Sequence, residues 1–284
     1  ERTVGIIGER MEPLVSVCIP AYNNAGYIRE TIDSILNQTY HNIELVVVDD
    51  NSKDNTLDVI RSVKDSRVKV YHNEENLGMV GNWNKCLSLT SGEYIKLICA
   101  DDMLDQNAIE IEARAMQQHP TVNLVESDTR LVDINGKKTG VFHRYHKSGE
   151  VNGKKVAKKS LLIQNFFGAP VNNMIRKSAL EKVGYFDESF TYILDFDMWV
   201  RLACSGDIYI IHQQLNSFRI RNDSNTGNLI GENRDVYVDE HKRLVEKHAS
   251  NGVIKLSKFD IGFSVWFRKV RNVLIGIYLK LFSK

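Results

Sequence analysis

Apolar runs and amphipathic segments alternate along the first half of the chain. The apolar runs have the length of strands and cover residues 14–20, 43–48, 67–71 and 93–99. Helical periodicity follows them at 27–37, around Val59, Ile60 and Val63, at 79–89 and at 106–119. These repeated strand–helix units predict an α/β fold with a mostly parallel sheet, flanked by helices and joined by right-handed crossovers.

The second half of the chain is less regular. Residues 121–134 indicate one strand, or a broken pair of strands that turns at Asn135 and Gly136. Residues 137–159 are rich in lysine and poor in large apolar residues, which predicts a loop. Order resumes at 161–167, with strands predicted at 171–175 and 208–211 and a helix at 192–203.

The two ends of the chain differ from the middle. Residues 1–12 have the character of an appended or disordered leader, residues 13–230 form the predicted α/β domain, and residues 231–284 form a predicted helical extension. Within the extension, residues 255–284 hold seven Lys or Arg against one acid, Asp260, among many aromatic and aliphatic residues. An amphipathic helical tail of this kind can lie on a membrane surface, or it can pack on its own domain or on a second subunit.

Composition narrows the class of protein. The 284-residue chain has 43% hydrophobic and 26% charged residues and a net charge of +1. These values are typical of a globular protein and predict no nucleic-acid partner. The four cysteines show no CxxC spacing, and Cys18 and Cys99 lie in apolar strands, which indicates a reducing, cytoplasmic setting. Because no apolar run reaches 18 residues, contact with the inner face of the cell membrane would come from the tail.

Two pairs of acidic residues stand where apolar strands end. Asp49 and Asp50 follow the second predicted strand, and Asp101 and Asp102 follow the fourth. Adjacent carboxylates at the exit of a buried strand need partners, and a divalent cation bound by oxygen, Mg²⁺ or Mn²⁺, provides one. If both strands end beside a switch in strand order, they predict a crevice for a metal-bound phosphate compound. The alternative is helix capping, which accounts for one acid at a helix start but not for two at a strand exit.

Longer motifs carry a resemblance to a known family. They are VSVCIPAYN at 15–23, SILNQTY at 34–40, ELVVVDDNSKDNT at 44–56, NLGMVGNWN at 76–84, ADD at 100–102, GAP at 168–170 and DFDMWVRL at 195–202. In this order and spacing the chain resembles inverting glycosyltransferases of family 2 over residues 14–226. The resemblance implies the GT-A fold, in which a Rossmann-like, mostly parallel sheet binds a nucleoside-diphosphate sugar. Among nucleoside-diphosphate sugars, the resemblance favours a UDP-sugar.

The resemblance also implies that a divalent cation, Mn²⁺ or Mg²⁺, neutralises the diphosphate leaving group. It assigns this ion to Asp102, with Asp101 beside it. Many relatives carry a further acid three residues before Asp102, where this chain has Cys99. Asp101 therefore shares the metal or, as the alternative, holds the ribose or the sugar of the donor.

The base pocket is implied to follow the first strand. Pro20, Ala21 and Tyr22 line it, with Tyr22 beside the base. Asp50 matches the acid that accepts a hydrogen bond from an N–H of a uracil-type base, and a carboxylate suits this role because it only accepts. The structural alternative for Asp50 is a capped turn.

The diphosphate is implied to lie above the next loop. Asn76, Gly78 and Asn82 belong to this loop and to the helix start after it, where free N–H groups can face an anion. Further along, Arg221 stands where many relatives have a histidine that contacts the metal or the diphosphate. A guanidinium cannot ligate a cation but can bind phosphate through two hydrogen bonds. Arg221, or its neighbour Arg219, is therefore predicted to contact the diphosphate, with a solvated arginine as the alternative.

Asp195 is implied to be the catalytic base. In the family, an acid just before a D-x-W-x-R-type helix takes the proton of the acceptor hydroxyl, and attack opposite the leaving nucleotide inverts the anomeric centre. Many relatives have Glu-Asp here, whereas this chain has Leu194 and Asp195. Asp197 is the rival candidate, and its structural alternative is an ion pair with Arg201, four residues later on the same helix face.

Together these features predict a metal-dependent inverting glycosyltransferase. It moves a sugar from a nucleoside-diphosphate sugar to a hydroxyl of a glycan or lipid-linked glycan in the synthesis of a surface polysaccharide. Because Cys99, Leu194 and Arg221 depart from the family pattern, the alternative is a non-catalytic partner that binds nucleotide sugars in glycan assembly. A nucleotidyltransferase is disfavoured, since such enzymes use a basic, glycine-rich phosphate loop and residues 20–26 contain no Lys or Arg.

Overall fold

The computed structural model describes residues 12–143, 145–221 and 234–282, with the side chains of the last range described from 235 to 273. The predicted leader, except for Glu12, and the predicted domain boundary at residue 230 lie outside these residues. In chain order the elements are β1 (Val15–Ala21), α1 (Ile28–Leu36), β2 (Ile43–Asp49), α2 (Thr56–Ser62), β3 (Val68–His72), α3 (Gly78–Ser88), β4 (Tyr94–Leu97), β5 (Met103–Leu104), α4 (Ala108–Gln118), β6 (Val122–Val132), β7 (Lys138–Phe142), β8 (Gly149–Val151), α5 (Gly153–Leu162), a 3₁₀ turn (Pro170–Asn172), β9 (Asn173–Arg176), α6 (Lys177–Val183), α7 (Leu194–Ser205), β10 (Asp207–Arg219), α8 (Arg234–Ser250) and α9 (Lys258–Phe282).

All of these strands belong to one sheet. Its order is β3-β2-β1-β4-β9-β6-β10-β5, with β7 paired to β6 and β8 paired to β10. Parallel ladders join β3, β2, β1 and β4, and another joins β6 to β10; together they contain most of the paired residues. The predicted α/β fold, a mostly parallel sheet flanked by helices, is therefore confirmed.

The strand order reverses beside β1. The chain runs outward from β1 to β2 and β3, and then returns to place β4 on the opposite side of β1. Crossovers that diverge in this way leave a crevice at the carboxyl ends of the two neighbouring strands, where open α/β sheets bind ligands. The two acidic pairs follow β2 and β4, so the fold brings both to this edge.

Each face of the sheet has its own apolar layer, because successive strand residues point to opposite faces. Val17 and Ile19 of β1 face one layer, and Cys18 between them faces the other. The first layer is completed by α1, α2 and α4 through residues such as Ile32, Ile60 and Ile109. The second is completed by α3, α5, α6, α7 and α8 through residues such as Leu87, Leu161 and Trp199.

The prediction of a loop over residues 137–159 is wrong. The predicted turn at Asn135 and Gly136 is present, and it leads into β7, which pairs with β6; β8 then pairs with β10. The Asn152 side chain accepts a hydrogen bond from the Lys155 N–H at 3.2 Å and starts α5. The buried face of α5 is a short stripe of Val156, Ala157 and Leu161, and its lysines lie mainly on the outer side. In the sequence these lysines outnumber the residues of the stripe, so the helical pattern is hard to recognise.

Several bounds also differ from those that hydropathy predicts. The strand predicted at 208–211 is only the start of β10, whose second half is polar and nonetheless buried. Asn216 Nδ2, for example, donates to Ser127 Oγ at 2.9 Å. Buried residues that satisfy one another by hydrogen bonds give no apolar pattern, so the extension of β10 could not be predicted. The short elements β5 and α6 were also not predicted.

The described part of the C-terminal segment contains two helices, α8 and α9. His241 Nε2 of α8 lies 2.8 Å from Ser264 Oγ of α9, and Ser264 Oγ donates to the Leu161 carbonyl oxygen of α5 at 2.6 Å. These buried contacts attach both helices to the sheet domain. Within the described ranges, no helix is long and apolar enough to cross a membrane.

One buried ion pair joins strand β4 of the sheet to helix α4. Lys96 Nζ of β4 lies 2.7 Å from Glu112 Oε2 of α4, and both side chains are completely buried. Ser127 Oγ donates to the other Glu112 oxygen at 2.9 Å. Burial lowers the pKa of Lys96 and raises the pKa of Glu112, and the attraction between the two charges opposes both shifts. Since Lys96 interrupts an otherwise apolar strand, its presence there depends on this partner.

We expect Lys96→Met to lower the free energy of unfolding by about 3–5 kcal/mol, because it leaves the Glu112 carboxylate buried without a cation. Glu112→Leu should cost about as much for the same reason. The double variant removes both charges and should recover most of the loss, as measured by denaturant unfolding. Losses that simply add in the double variant would contradict this account.

Candidate active site

The ends of β1 and β2 and the segment after β4 meet at one edge of the sheet. The Asp50 N–H donates to the Ala21 carbonyl oxygen at 2.8 Å, and the Ile98 N–H donates to the Cys18 carbonyl oxygen at 3.0 Å. The end of β1 therefore lies between Asp50 on one side and the pair Asp101–Asp102, called the acidic pair below, on the other.

Asp50 is buried and is held by the segment that leads into α3. Its Oδ1 accepts from Asn73 Nδ2 at 2.7 Å and from the Leu77 N–H at 2.8 Å. Its backbone carbonyl oxygen accepts from Asn76 Nδ2 at 3.0 Å. Both bonds to the carboxylate use the same oxygen, so they fix its orientation and leave Oδ2 to other donors.

Asn76, Gly78 and Asn82 hold α3 against β2. Asn76 Oδ1 accepts from the Gly78 N–H at 3.0 Å, and Asn82 Nδ2 donates to the Val48 carbonyl oxygen at 3.2 Å. Asn82 Oδ1 accepts from Asn73 Nδ2 at 3.1 Å. Gly78 has φ +73°, a left-handed conformation that favours glycine at the start of α3. The two amide side chains thus position the loop that supports Asp50.

Pro20, Ala21 and Tyr22 stand where β1 ends. Pro20 and Ala21 are buried in the sheet edge, whereas Tyr22 is 44% exposed. Tyr22 directly follows Ala21, whose carbonyl oxygen accepts from the Asp50 N–H, so an exposed aromatic residue and a carboxylate stand on neighbouring strand ends. The structure therefore brings together the residues predicted to surround a base.

Two arginines at the end of β10 face the acidic pair. Arg221 Nη1 donates to Asp101 Oδ2 at 3.1 Å, and its guanidinium lies 4.5 Å from the centroid of the Tyr27 ring. Arg219 is almost completely buried, and it donates to Glu30 Oε2 at 2.6 Å and to two backbone carbonyl oxygens. These bonds engage Nε, Nη1 and Nη2 of Arg219, and both arginines lie beside the acidic pair.

Asp102 is the candidate ligand for a cation. Its side chain is completely buried, and its Oδ1 accepts from the Arg219 N–H at 3.0 Å. Its Oδ2 is buried and has no hydrogen-bond partner among the described residues. Burial raises the pKa of Asp102 well above its ordinary value, and the charge of Asp101 raises it further. An unpaired buried carboxylate oxygen is unfavourable, and a bound cation would remove that penalty.

The residues around Asp102 fit an ion that takes few ligands from the protein. In the part of the chain that the structure describes, no group of three or more His, Cys, Asp or Glu could hold a metal ion. Mg²⁺ is usually bound through one or two carboxylates, with water and substrate phosphate completing its shell, and Mn²⁺ accepts the same oxygen ligands. Asp102 and its neighbour Asp101 match this donor set.

Asp195 lies in the first turn of α7. Burial raises the pKa of the Cys99 thiol well above its ordinary value, and the charges of Asp102, Asp101 and Asp195 raise it further, so all three carboxylates lie within electrostatic range of Cys99. The Asp195 carboxylate accepts from the Phe196 N–H at 2.6 Å. Burial raises the pKa of Asp195 to about 7. A carboxyl group that titrates near neutral pH can take a proton and release it again.

Asp197 has a different environment. It is completely buried, Arg201 Nε donates to its Oδ2 at 2.8 Å, and Lys247 Nζ donates to its Oδ1 at 2.8 Å. His248 Nε2 lies 3.0 Å from the same Oδ1. Burial acts to raise the pKa of Asp197, but the hydrogen bond with His248 and the charges of Arg201 and Lys247 outweigh it and hold that pKa below its usual range. The surroundings of Asp197 are those of a structural anion.

Glu240 of α8 holds the loop that leads into α7, and no sequence pattern predicts it. Its Oε1 accepts from the Thr191 N–H at 2.8 Å, and its Oε2 accepts from the Tyr192 N–H at 2.8 Å and the Ile193 N–H at 3.2 Å. A negative charge at the start of α7 is also favoured by the helix dipole. The partners are 47–49 positions apart in the sequence, so only folding reveals that Glu240 orients the segment carrying Asp195.

Comparison with known proteins gives matches over most of the chain. The profile of the family described as Glycosyl transferase family 2 matches residues 16–184. A protein of Rickettsia prowazekii, named as an uncharacterized glycosyltransferase, is 31% identical over 241 residues, which cover 83% of this chain and 74% of that protein. The profile match includes Asp50 and the acidic pair but ends before Asp195.

Two solved structures resemble the fold. Residues 1–349 of S. aureus TarS, in complex with UDP-GlcNAc, give a TM-score of 0.67 at 21% identity, covering 87% of this chain and 69% of that chain. The mannosyltransferase PcManGT from Pyrobaculum calidifontis, in complex with GDP-Man and Mn²⁺, gives a TM-score of 0.58 at 16% identity, covering 97% of this chain and 89% of that chain. At these identities the likeness shows a shared fold.

We expect Glu240→Gln to loosen the loop before α7, because one neutral amide oxygen replaces two charged acceptors. Hydrogen bonds to charged groups contribute about 1.5–3 kcal/mol each, so the amides of Thr191, Tyr192 and Ile193 should exchange with deuterium much faster. Glu246→Gln, at an exposed site on the same helix, is the matched control and should leave their protection unchanged. Equal protection in the two variants would contradict the role given to Glu240.

Proposed function

Because the chain belongs to glycosyltransferase family 2 and has its GT-A fold, we propose that it transfers one sugar from a nucleoside-diphosphate sugar to a hydroxyl of a glycan or lipid-linked glycan. The observation that carries the proposal is the acidic pair at the carboxyl edge of the sheet, where Asp102 Oδ2 is buried without a hydrogen-bond partner among the described residues, together with Asp195, whose pKa burial raises to about 7 and whose charge acts on the same Cys99 thiol. We infer that the transfer inverts the anomeric centre and serves the synthesis of a surface polysaccharide.

The proposed donor is a UDP-sugar. Asp50 keeps Oδ2 available in a carboxylate whose other oxygen is fixed by two N–H donors, and a uracil N–H could donate to it. Tyr22 would lie beside the base. Among the similar structures, one holds UDP-GlcNAc and one holds GDP-Man, which supports a nucleotide sugar as the class of donor.

Asp102 is proposed to hold Mn²⁺ or Mg²⁺, with Asp101 as its neighbour. When bound, such an ion would neutralise charge on the diphosphate as the bond between sugar and phosphate breaks. Arg221 would bind a phosphate oxygen from the opposite side, in exchange for part of its contact with Asp101. One of the similar structures contains Mn²⁺, which supports the class of ion.

Asp195 is proposed to accept the proton of the acceptor hydroxyl as that oxygen attacks the sugar. A hydroxyl is a poor nucleophile until a positioned carboxylate takes its proton. Asp197 cannot serve in this way, because its three partners stabilise the ionised form and weaken it as a base. Gly168, whose carbonyl oxygen accepts from Trp199 Nε1 at 3.1 Å, links the GAP segment to α7 and so supports the position of Asp195.

We expect Asp195→Asn to lower the rate of transfer by about 10²–10⁴-fold while donor affinity is retained, because the amide cannot take a proton. The wild-type rate should rise with pH through about 7, where Asp195 loses its proton. Glu188→Gln, exposed in the same loop, is the control and should keep the wild-type rate.

The same variant also tests the environment of Asp195. The pKa of Asp195 is raised in the fold from 3.8 to about 7, so its ionised form is disfavoured there, and wild-type stability falls as the pH rises through this window. Asp195→Asn should therefore unfold at a higher temperature than the wild type at about pH 8, but not at about pH 4. A variant that loses both activity and stability at the higher pH would count against the assignment.

We expect Mn²⁺ and the preferred nucleotide sugar together to stabilise the protein by about 2.7 kcal/mol at roughly 100-fold excess over Kd, as measured by thermal shift over a panel of donors. Asp102→Asn should abolish the part of this gain that depends on Mn²⁺. Asp58→Asn, an exposed carboxylate on α2, should keep it. Stabilisation without turnover of any donor, with or without glycan acceptors, would instead favour a non-catalytic nucleotide-sugar-binding protein.

A further inference from the structure

Helix α9 is fixed to the body of the protein by one face. Besides the buried contacts of Ser264 with His241 and α5, Arg268 Nη1 donates to the Tyr237 hydroxyl at 2.8 Å. Arg268 Nη2 donates to a backbone carbonyl oxygen of α5 at 3.3 Å. Ser264, Arg268 and His241 are all buried, so the orientation of α9 about its own axis is determined by the fold.

The opposite face of α9 is apolar and uncovered. Its large exposed residues recur every three or four positions, which places them in one stripe along the helix. The stripe consists of Phe259 (79% exposed), Phe263 (38%), Trp266 (58%), Val270 (37%) and Val273 (62%). The Phe263 ring lies 6.5 Å from Phe259 and 6.2 Å from Trp266, centroid to centroid. A continuous exposed aromatic surface of this kind marks an interaction site.

Positive charge borders the stripe. Lys258 and Lys269 of α9 are exposed, and Lys269, three positions after Trp266 and four before Val273, lies beside the stripe. Lys158 of α5 donates to the Lys255 carbonyl oxygen at 3.0 Å, which brings the lysines of α5 beside the start of α9. The acid of α9, Asp260, accepts from the Ser257 N–H at 2.8 Å and lies 3.9 Å from Lys158, so its charge is partly neutralised. Exposed positive charge on α9 therefore lies beside the aromatic stripe.

We propose that this face of α9 docks the protein on a membrane that contains anionic phospholipids. The aromatic side chains would enter the boundary between headgroups and acyl chains, which Trp favours, while the basic side chains meet phosphate groups. A second copy of the chain fits this face less well, because a symmetric contact would bring the same positive charges together. The proposal rests on the exposed face alone and does not depend on the proposed transfer reaction.

The docking face is connected to the candidate active site through α8. His241 contacts Ser264 of α9, and the adjacent Glu240 holds the loop that leads into α7, the helix that contains Asp195. Docking would therefore set the orientation of the active-site edge with respect to the membrane. An acceptor carried on a lipid would then meet the site at a defined height above the bilayer.

Vesicle co-sedimentation of the full chain tests the proposal. Vesicles with phosphatidylglycerol and phosphatidylcholine in equal parts should bind the wild type, and vesicles of phosphatidylcholine alone should bind it more weakly. Phe263→Gln/Trp266→Gln should weaken binding by about tenfold or more, because less apolar surface is buried. Lys258→Gln/Lys269→Gln should weaken binding to the anionic vesicles by about fivefold per charge and leave binding to the neutral vesicles unchanged.

Val70→Gln is the matched control, since it replaces an exposed apolar residue on β3, in a different part of the fold. It should bind vesicles like the wild type, and all variants should show the wild-type circular dichroism spectrum. Equal sedimentation of the wild type and the aromatic variant would overturn the proposal. The proposal would also be overturned if the wild type formed a dimer that does not bind vesicles and the aromatic variant were a monomer. A second copy of the chain would then cover the stripe. Vesicle binding without sugar transfer would refute only the proposed function.

Discussion

Buried negative charge at the carboxyl edge of the sheet is the constraint on which the rest of this structure depends. The protein compensates most of its buried carboxylates with cations. Glu112 has Lys96, Asp197 has Arg201 and Lys247, and Asp101 has Arg221. Asp102 and Asp195 are not compensated in this way. Among the described residues, Asp102 Oδ2 has no hydrogen-bond partner, and Asp195 has no cation beside it. A fold retains uncompensated charge of this kind where a ligand or a proton is to supply the missing partner.

The contrast between Asp195 and Asp197 shows how position determines chemistry. The two residues are of the same type and lie in the same helical turn, but Asp197 is completely buried and Asp195 is half-buried. Asp197 meets three partners that stabilise its charge, two of them from α8, whereas the Asp195 carboxylate accepts from the Phe196 N–H of its own helix. Their pKa values are shifted in opposite directions as a result. The acid suited to proton transfer is the one that the protein leaves unpaired.

Helix α8 joins parts of the molecule that are distant in sequence. It supplies Glu240 to the loop before α7, Lys247 and His248 to Asp197, and His241 to the anchor of α9. All of these residues lie beyond the region that the family profile matches, which ends at residue 184. The loop before α7 and the surroundings of Asp197 are thus shaped by a segment outside the family profile, and the same segment contacts α9.

The sequence by itself determined the alternation of strands and helices, the α/β class, the family, and the positions of the acidic pairs at strand ends. Each of these depends on local periodicity or on a short motif, and both can be recognised in the sequence without knowledge of distant contacts. Only the tertiary structure decided which polar residues are buried and what pairs with them. The lysine-rich segment became two strands and a helix because its few apolar residues meet the core. Lys96 is tolerated in a central strand because Glu112 reaches it, and Asp195 differs from Asp197 because α8 lies beside one and not the other. Burial and charge compensation arise from segments that are far apart along the chain, so a local pattern cannot contain them.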